Sequence, residues 1–316
     1  MSLYFALVAS EDRRMSTFRL LAAAFLLGTG ISASAQTAAA ISTDPAANPA
    51  NPPTMQSFQI PSHGAGLNSL MYIAAGAGAH PVVVLLHGFP GNEKNLDLAQ
   101  AIRRAGWDVL YFDYRGAWGT KGDFSFTHSM EDTQAAVAYL RDPANAAKLH
   151  VDPKHIVLVG HSMGGMIAAY VGAHDPAIEA VALISAADMA GPTKLPAGIP
   201  ADARAKAIAT IAKHLGDEGI APLAGCTAEG LAEDLVAHAD AYSLPAQAAK
   251  LASKPMLVIT SDDGLAAPAD ALVAALQAAG DQELNAVHIA TDHSYSGKRI
   301  ELEQTVLGGL AYLMQK

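Results

Sequence analysis

The sequence predicts an α/β protein, a single domain built on a mostly parallel, doubly wound sheet of eight strands. Three observations carry this expectation. The runs Val82-Val83-Val84-Leu85-Leu86 and Met256-Leu257-Val258-Ile259 are apolar without alternation, as a strand reads when helices cover both of its faces. Strand candidates of this kind alternate with helical patterns along the chain, which implies parallel strands joined by right-handed crossovers. Residues 55–316 also supply enough chain to bury one good core.

Taken in order, the strand candidates are Gln56 to Ile60, Asn68 to Ala74, Pro81 to His87, Asp108 to Asp113, His155 to Gly160, Ala180 to Ser185, Pro255 to Thr260 and Asn285 to Ala290. The helical patterns between them are Asn95 to Ala105, Met130 to Arg141, Gly165 to Ala173, Pro268 to Ala279 and Gly297 to Gln315. Residues 188–253 break the alternation: they hold no strand candidate but carry the amphipathic stretches Ala201 to Leu215 and Thr227 to Ala239. A helical insertion after the sixth strand is expected there, and because loops at the carboxyl edge of such a sheet surround the ligand crevice, it reads as a lid.

The N-terminal residues read differently. Met15 to Arg19 offers a second start with Arg19 as a positive n-region, Leu20 to Leu27 is an apolar h-region, and Ala33-Ser34-Ala35 is a small-x-small cleavage site. Residues 1–35 are therefore expected to be a signal peptide cleaved after Ala35, with 1–14 an over-called start and the product periplasmic or secreted. The apolar run is shorter than the roughly 20 residues a spanning helix needs, so no stable membrane insertion is expected. Residues 36–54, rich in Ala, Asn and Pro, are expected to be a flexible leader.

Cys226 is the only cysteine, which rules out an intrachain disulfide. The formal net charge of −10 and the lack of a basic run argue against nucleic acid as a partner. Neither a G-x-G-x-x-G after the first strand nor a phosphate-binding G-x-x-x-x-G-K-S/T occurs, and the 12 histidines form no H-x-H or H-E-x-x-H spacing. No cofactor and no metal are expected.

The chemistry concentrates in "GHSMGG", Gly160 to Gly165, between an apolar strand and a helical stretch. Glycines two residues either side let the backbone fold sharply around Ser162 and expose its hydroxyl, with the helix N-terminus aimed at the same spot. A serine nucleophile needs a base, a carboxylate to orient that base, and donors for a developing oxyanion. "HGFPG", His87 to Gly91, follows the third strand directly. Gly88 would let the Phe89 N–H face the crevice, with the Met163 N–H as second donor, while His87 reads as a loop-stabilising hydrogen bonder.

"HGFPG", "FDYRGAWGTKGDFSF", "GHSMGG", "SDDG" and "TDHSYS", in that order, resemble the α/β-hydrolase superfamily. The Tyr114 to Phe126 phrase further resembles its dienelactone-hydrolase-like and prolyl-oligopeptidase-like esterase branch. The resemblance implies Ser162 as nucleophile, His293 as base and an acid at the end of the seventh strand. His293 also lies on a loop leaving the last strand, at the same edge as Ser162. His288 lies within that strand, and His161 is too close in sequence to reach back to the serine hydroxyl.

Asp262 and Asp263 both fit the acid; side chains of neighbours leaving a strand diverge, so at most one can face the imidazole. Asp263 is chosen, since it precedes the turn-making Gly264 and better matches the D-x-x-[V/A] ending of the family. Asp188 is a third candidate, with helix capping its alternative role. Trp118, Phe89 and Tyr295 are candidates to line the pocket, and Asp113 with Arg115 reads as a structural ion pair. The expected activity is hydrolysis of carboxylic esters, with a small-molecule ester or short peptide as substrate. The alternative is a peptidase or amidase on the same triad, with Glu229, Glu233 and Asp234 available to hold a substrate amine.

Overall fold

The computed structural model describes residues 33–191 and 193–315; most of the expected signal peptide lies outside the described residues. Eight strands form one sheet: β1 (Thr54–Ser62), β2 (Ala65–Ile73), β3 (His80–Leu86), β4 (Asp108–Phe112), β5 (Val151–His161), β6 (Ala180–Ile184), β7 (Met256–Ser261) and β8 (Leu284–Ile289). Their order is β1-β2-β4-β3-β5-β6-β7-β8. β2 pairs antiparallel with β1 and β4, and every pair from β4 to β8 is parallel. The carboxyl ends of β3 to β8 therefore share one edge.

The unalternating apolar runs have a direct explanation. Val82, Val84 and Leu86 enter one core layer, whereas Val83 and Leu85 enter the other. The same division separates Ile156 and Leu158 from Val157 and Val159, and Met256 and Val258 from Leu257 and Ile259. Side chains alternate across a strand, so a strand buried on both faces must be apolar throughout. Helices Phe126–Arg141, Met163–His174 and Ala266–Ala278 cover the first layer. Leu96–Arg104 and Arg299–Leu313 cover the second.

Two helices were not expected. Pro143–Leu149 starts at Asp142, whose carboxylate accepts from the Ala144 and Asn145 amides, with Pro143 in the first turn. Ala33–Ser42 stands where a flexible leader was expected to begin; it packs on Arg299–Leu313 and Leu96–Arg104, burying Ala40 and passing the Ala40 carbonyl to Arg104. Residues 36–42 of the expected leader thus lie in a helix whose small alanine face suffices for contact with neighbouring helices. The expected cleavage point after Ala35 falls inside this helix. Among the described residues no helix is long and apolar enough to cross a membrane.

The segment after β6 folds into helices Ala201–Glu218 and Ala228–Ala237, then a 3-10 turn Pro245–Gln247 and a short helix Ala248–Leu251. Ile208, Leu215, Leu231 and Leu235 join the first core layer. The connection between the two longer helices is laced to the loop after β4. Trp118 donates its N–H to the Pro222 carbonyl, Ala224 N–H bonds the Gly116 carbonyl, and Phe124 N–H bonds the Ala224 carbonyl.

Asp113 and Arg115 do not pair with each other. Asp113 accepts from Lys94 at 3.0 Å and from the Tyr111 hydroxyl at 2.6 Å. Arg115 turns to helix Phe126–Arg141, where its Nε meets Asp132 Oδ1 at 2.6 Å and its backbone N–H meets Oδ2 at 2.7 Å. Ser62 adds a third donor to Asp132 at 2.6 Å. The charge of Asp132 is fully buried, and deleting it leaves buried Arg115 with only the half-exposed Glu131 as an anionic partner. Asp132→Ala should cost about 3–5 kcal/mol of stability, measured as a lowered urea midpoint; a loss below about 1 kcal/mol would show that Glu131 alone neutralises Arg115.

Candidate active site

Ser162 sits between β5 and helix Met163–His174 at φ 58°, ψ −123°, a left-handed conformation a side chain adopts only when its surroundings impose it. The flanking glycines show what imposes it. A Cβ on Gly160 would lie 2.0 Å from the Gly164 carbonyl oxygen, and one on Gly164 would lie 2.2 Å from that of Leu86. Backbone thus meets backbone with no room for a methyl group. Ser162 N–H bonds the Ile184 carbonyl on β6, and its own carbonyl accepts from Gly165 and Ala187.

The loop after β3 closes directly on this turn: a Cβ on Gly88 would lie 2.9 Å from Ser162 Cβ. His87, fully buried, donates Nδ1–H to the Gly88 carbonyl at 2.8 Å. Because a peptide is planar and trans, holding that carbonyl on one side directs the Phe89 N–H to the other. The Phe89–Pro90 bond is cis. Met163 N–H belongs to the first turn of its helix, where amides have no intrahelical acceptor. The Phe89 ring packs on Phe124 and Phe126, and Trp118 donates Nε1–H to the Pro90 carbonyl at 2.8 Å beneath the Lys94 ammonium.

At the ends of β7 and β8, Asp263 Oδ2 accepts from His293 Nδ1 at 2.7 Å. This proton placement leaves His293 Nε2 bare. Asp263 Oδ1 takes the Leu265 N–H at 2.9 Å, and the carboxylate is 3% exposed. Burial alone would push its pKa up, but hydrogen bonds from His293, the Leu265 amide, Ser185 and Ser261 more than offset this and hold it below the usual carboxylate range. Ser185 in turn bonds Ser261 and the fully buried Tyr295 hydroxyl, both at 2.9 Å. Tyr295 therefore belongs to the buried hydroxyl cluster beside Asp263 and has no exposed surface to line a pocket.

The other candidate acids are committed elsewhere. Asp262 is exposed and meets His288 Nε2 at 3.1 Å. Asp188 accepts from the amides of Ala190, Gly191 and Leu244, fixing the entry to the insertion. Asp234 binds the Thr127 amide and hydroxyl, the Tyr242 hydroxyl and His238, and so anchors the insertion to helix Phe126–Arg141. Of Glu229, Glu233 and Asp234, the candidates to hold a substrate amine, only Glu229 and Glu233 lie exposed. Among the described residues the Ser162 hydroxyl has no hydrogen bond, and no three His, Cys, Asp or Glu side chains converge as metal ligands would. A cavity of about 520 Å³ lies at the amino ends of β6 to β8, away from this chemistry.

Strand-end placement of a strained serine, a glycine loop over it and a carboxylate–imidazole pair define a fold class, and the comparisons agree. Residues 81–205 match the family model described as the alpha/beta hydrolase fold. The chain is similar to Est1E from Butyrivibrio proteoclasticus, solved with ferulic acid, at TM-score 0.62 and 20% identity, covering 82% of this chain and 100% of that one. It is also similar to the thermostable carboxylesterase EstE1 from a metagenomic library, at TM-score 0.56 and 21% identity over 88% and 94% of the two chains. Curated relatives include uncharacterized proteins of Mycobacterium tuberculosis, 32% identical over 31% of this chain and 34% of theirs, and of Escherichia coli O157:H7, 34% identical over 29% and 32%. The match thus spans about a third of the length of these relatives. The chain therefore has the α/β-hydrolase fold, with residues 81–205 matching its family model.

Two predictions follow from this geometry. Asp263→Asn should lower kcat on a small ester by about 10⁴, because the amide selects the wrong imidazole tautomer, while Asp262→Asn stays within a few-fold; the reverse order would move the acid to Asp262. The second concerns acid stability. Burial holds His87 and His161 neutral, with pKa lowered to about 4 against 6.5 in the unfolded chain. Their folded pKa is depressed, so the unfolded chain binds more protons between pH 6.5 and 4, and stability falls as pH drops through that window. Asp108, raised by burial to about 6, works in the opposite direction. At pH 5 each histidine should cost roughly 2 kcal/mol, so His87→Gln or His161→Gln should flatten stability between pH 7 and 5 in denaturant titrations.

Proposed function

We propose that this chain is a serine hydrolase of carboxylic esters. The observation that carries the reading is the 2.7 Å hydrogen bond between His293 Nδ1 and buried Asp263, on the same sheet edge as the strained Ser162 turn. In this reading His293 Nε2 takes the hydroxyl proton as Ser162 Oγ bonds to the substrate carbonyl carbon. The Phe89 and Met163 amides receive the oxyanion, which is the principal electrostatic contribution in acyl transfer. Asp263 stabilises the imidazolium. The protonated His293 then gives its proton to the departing alcohol, and water resolves the acyl-enzyme by the same steps.

The similar solved structures include a carboxylesterase, which supports an ester over other acyl substrates. A peptidase reading needs carboxylates for a substrate amine, and the engagement of Asp234 with Thr127, Tyr242 and His238 reduces that set. The insertion after β6 serves as the lid in this reading, supported by its lacing to the loop that carries Trp118. Ser162→Ala should lower kcat on p-nitrophenyl acetate by 10⁴-fold or more, on the order seen for triad nucleophiles, and should abolish labelling by a fluorophosphonate. Labelling retained in that variant would place the nucleophile elsewhere, and faster turnover of aminoacyl anilides than of esters would favour the peptidase.

A further inference from the structure

We infer that His161, the residue before the proposed nucleophile, is a positioning residue that holds the His293 loop at a set distance from Ser162. The inference rests on the hydrolase reading above. His161 ends β5, pairs in register with Ile184 of β6, and is 2% exposed. Its Nε2 lies 2.9 Å from the His293 carbonyl oxygen. A carbonyl only accepts, so Nε2 carries the proton and donates. The two imidazole rings lie 4.7 Å apart at 34°, and the Tyr295 ring stands edge-on to His161 at 6.5 Å.

This contact has a distinct place among those that hold the loop. The His293 imidazole is oriented from one side by Asp263, at the end of β7. The rest of the loop is tied to β6, to β7 and to the C-terminal helix: the Tyr295 hydroxyl bonds Ser185, Asp262 N–H bonds the Thr291 carbonyl, and Arg299 bonds the Ser294 carbonyl. None of these ties refers to β5, where Ser162 sits. His161 does, since it is covalently next to the serine and bonded to the backbone of the histidine. It therefore adds a direct link between two strand ends otherwise joined only through β6, and so fixes one base–nucleophile separation.

The remaining features of His161 suit that task. Its Nδ1 is buried without a partner among the described residues, so the side chain forms a single directed bond. Burial, reinforced by the neighbouring His293, keeps the ring neutral at physiological pH. A neutral ring adds no fixed positive charge beside the imidazolium that His293 becomes during turnover. The contact thus fixes position without opposing the chemistry.

The experiment compares full-length wild type with His161→Phe, His161→Gln and His161→Asn, using p-nitrophenyl acetate turnover, the rate of fluorophosphonate labelling and thermal unfolding. Phe keeps a ring but no donor; Gln places an amide N–H near the Nε2 position, and Asn is too short to do so. Misplacing a reacting group by about 1 Å costs on the order of 100-fold. His161→Phe should lose roughly 10- to 100-fold in kcat, with KM within about twofold because substrate contacts remain, and its labelling rate should fall in proportion. His161→Gln should recover most of the loss and His161→Asn should not. Since Gln and Asn are both polar, their comparison decides the matter even where Phe impairs folding. A His161→Phe variant with wild-type kcat, a change confined to KM, or equal defects in Gln and Asn overturns the inference. Wild-type protein that fails to react with the fluorophosphonate overturns the hydrolase reading itself, and the inference with it.

Discussion

The site depends on one steric constraint, the meeting of three backbones around residues 160–165. The end of β5, the first turn of the following helix and the end of β3 approach so closely that Gly160 and Gly164 have no space for a Cβ. This close approach brings Gly88 against Ser162 and places the β3 loop over the serine. It also strains Ser162, which persists because β6 holds its amide through Ile184. The strain at Ser162 and the close seat of the β3 loop are two results of one packing requirement.

Strand order does the rest. Beyond β5 the sheet runs through β6, β7 and β8 in parallel, so the next chain ends along the same edge are Ser185, the Asp262-Asp263 turn and the His293 loop. Ser185, itself at φ 42°, lies between the Ser162 turn and Asp263 and ties Ser261 to Tyr295. The carboxylate thus rests on a buried hydroxyl cluster, which favours its charged form despite its burial.

How much of this can be read from the sequence depends on the range of the interaction. The core strands are legible because burial on both faces leaves no polar residues in Val82 to Leu86, and the helical insertion because an amphipathic stripe is local. Helix Pro143–Leu149 had a readable signal, Asp142 followed by Pro143, that the apolar pattern of the preceding helix obscured. Helix Ala33–Ser42 had none, since an alanine-rich stretch packs only where neighbours are supplied by the fold. The partner of Arg115 was missed for the same reason: Asp132 is on another element, and adjacency in sequence suggested Asp113 instead. The divergence of neighbouring side chains, by contrast, is local, and the structure turns Asp263 to His293 and Asp262 to His288. The contact from His161 to the His293 carbonyl joins residues 132 positions apart and left no trace in either motif.

The pairing of the loop after β4 with the insertion after β6 has a consequence for exchange between relatives. Gly116, Trp118 and Phe124 share main-chain hydrogen bonds with Pro222 and Ala224, and Thr127 is bound by Asp234. These two pieces, about a hundred residues apart in the chain, form one architectural module. Recombination or grafting that moved the insertion alone would leave unmatched backbone donors and acceptors on both sides of the junction. The pieces must be inherited, or engineered, together.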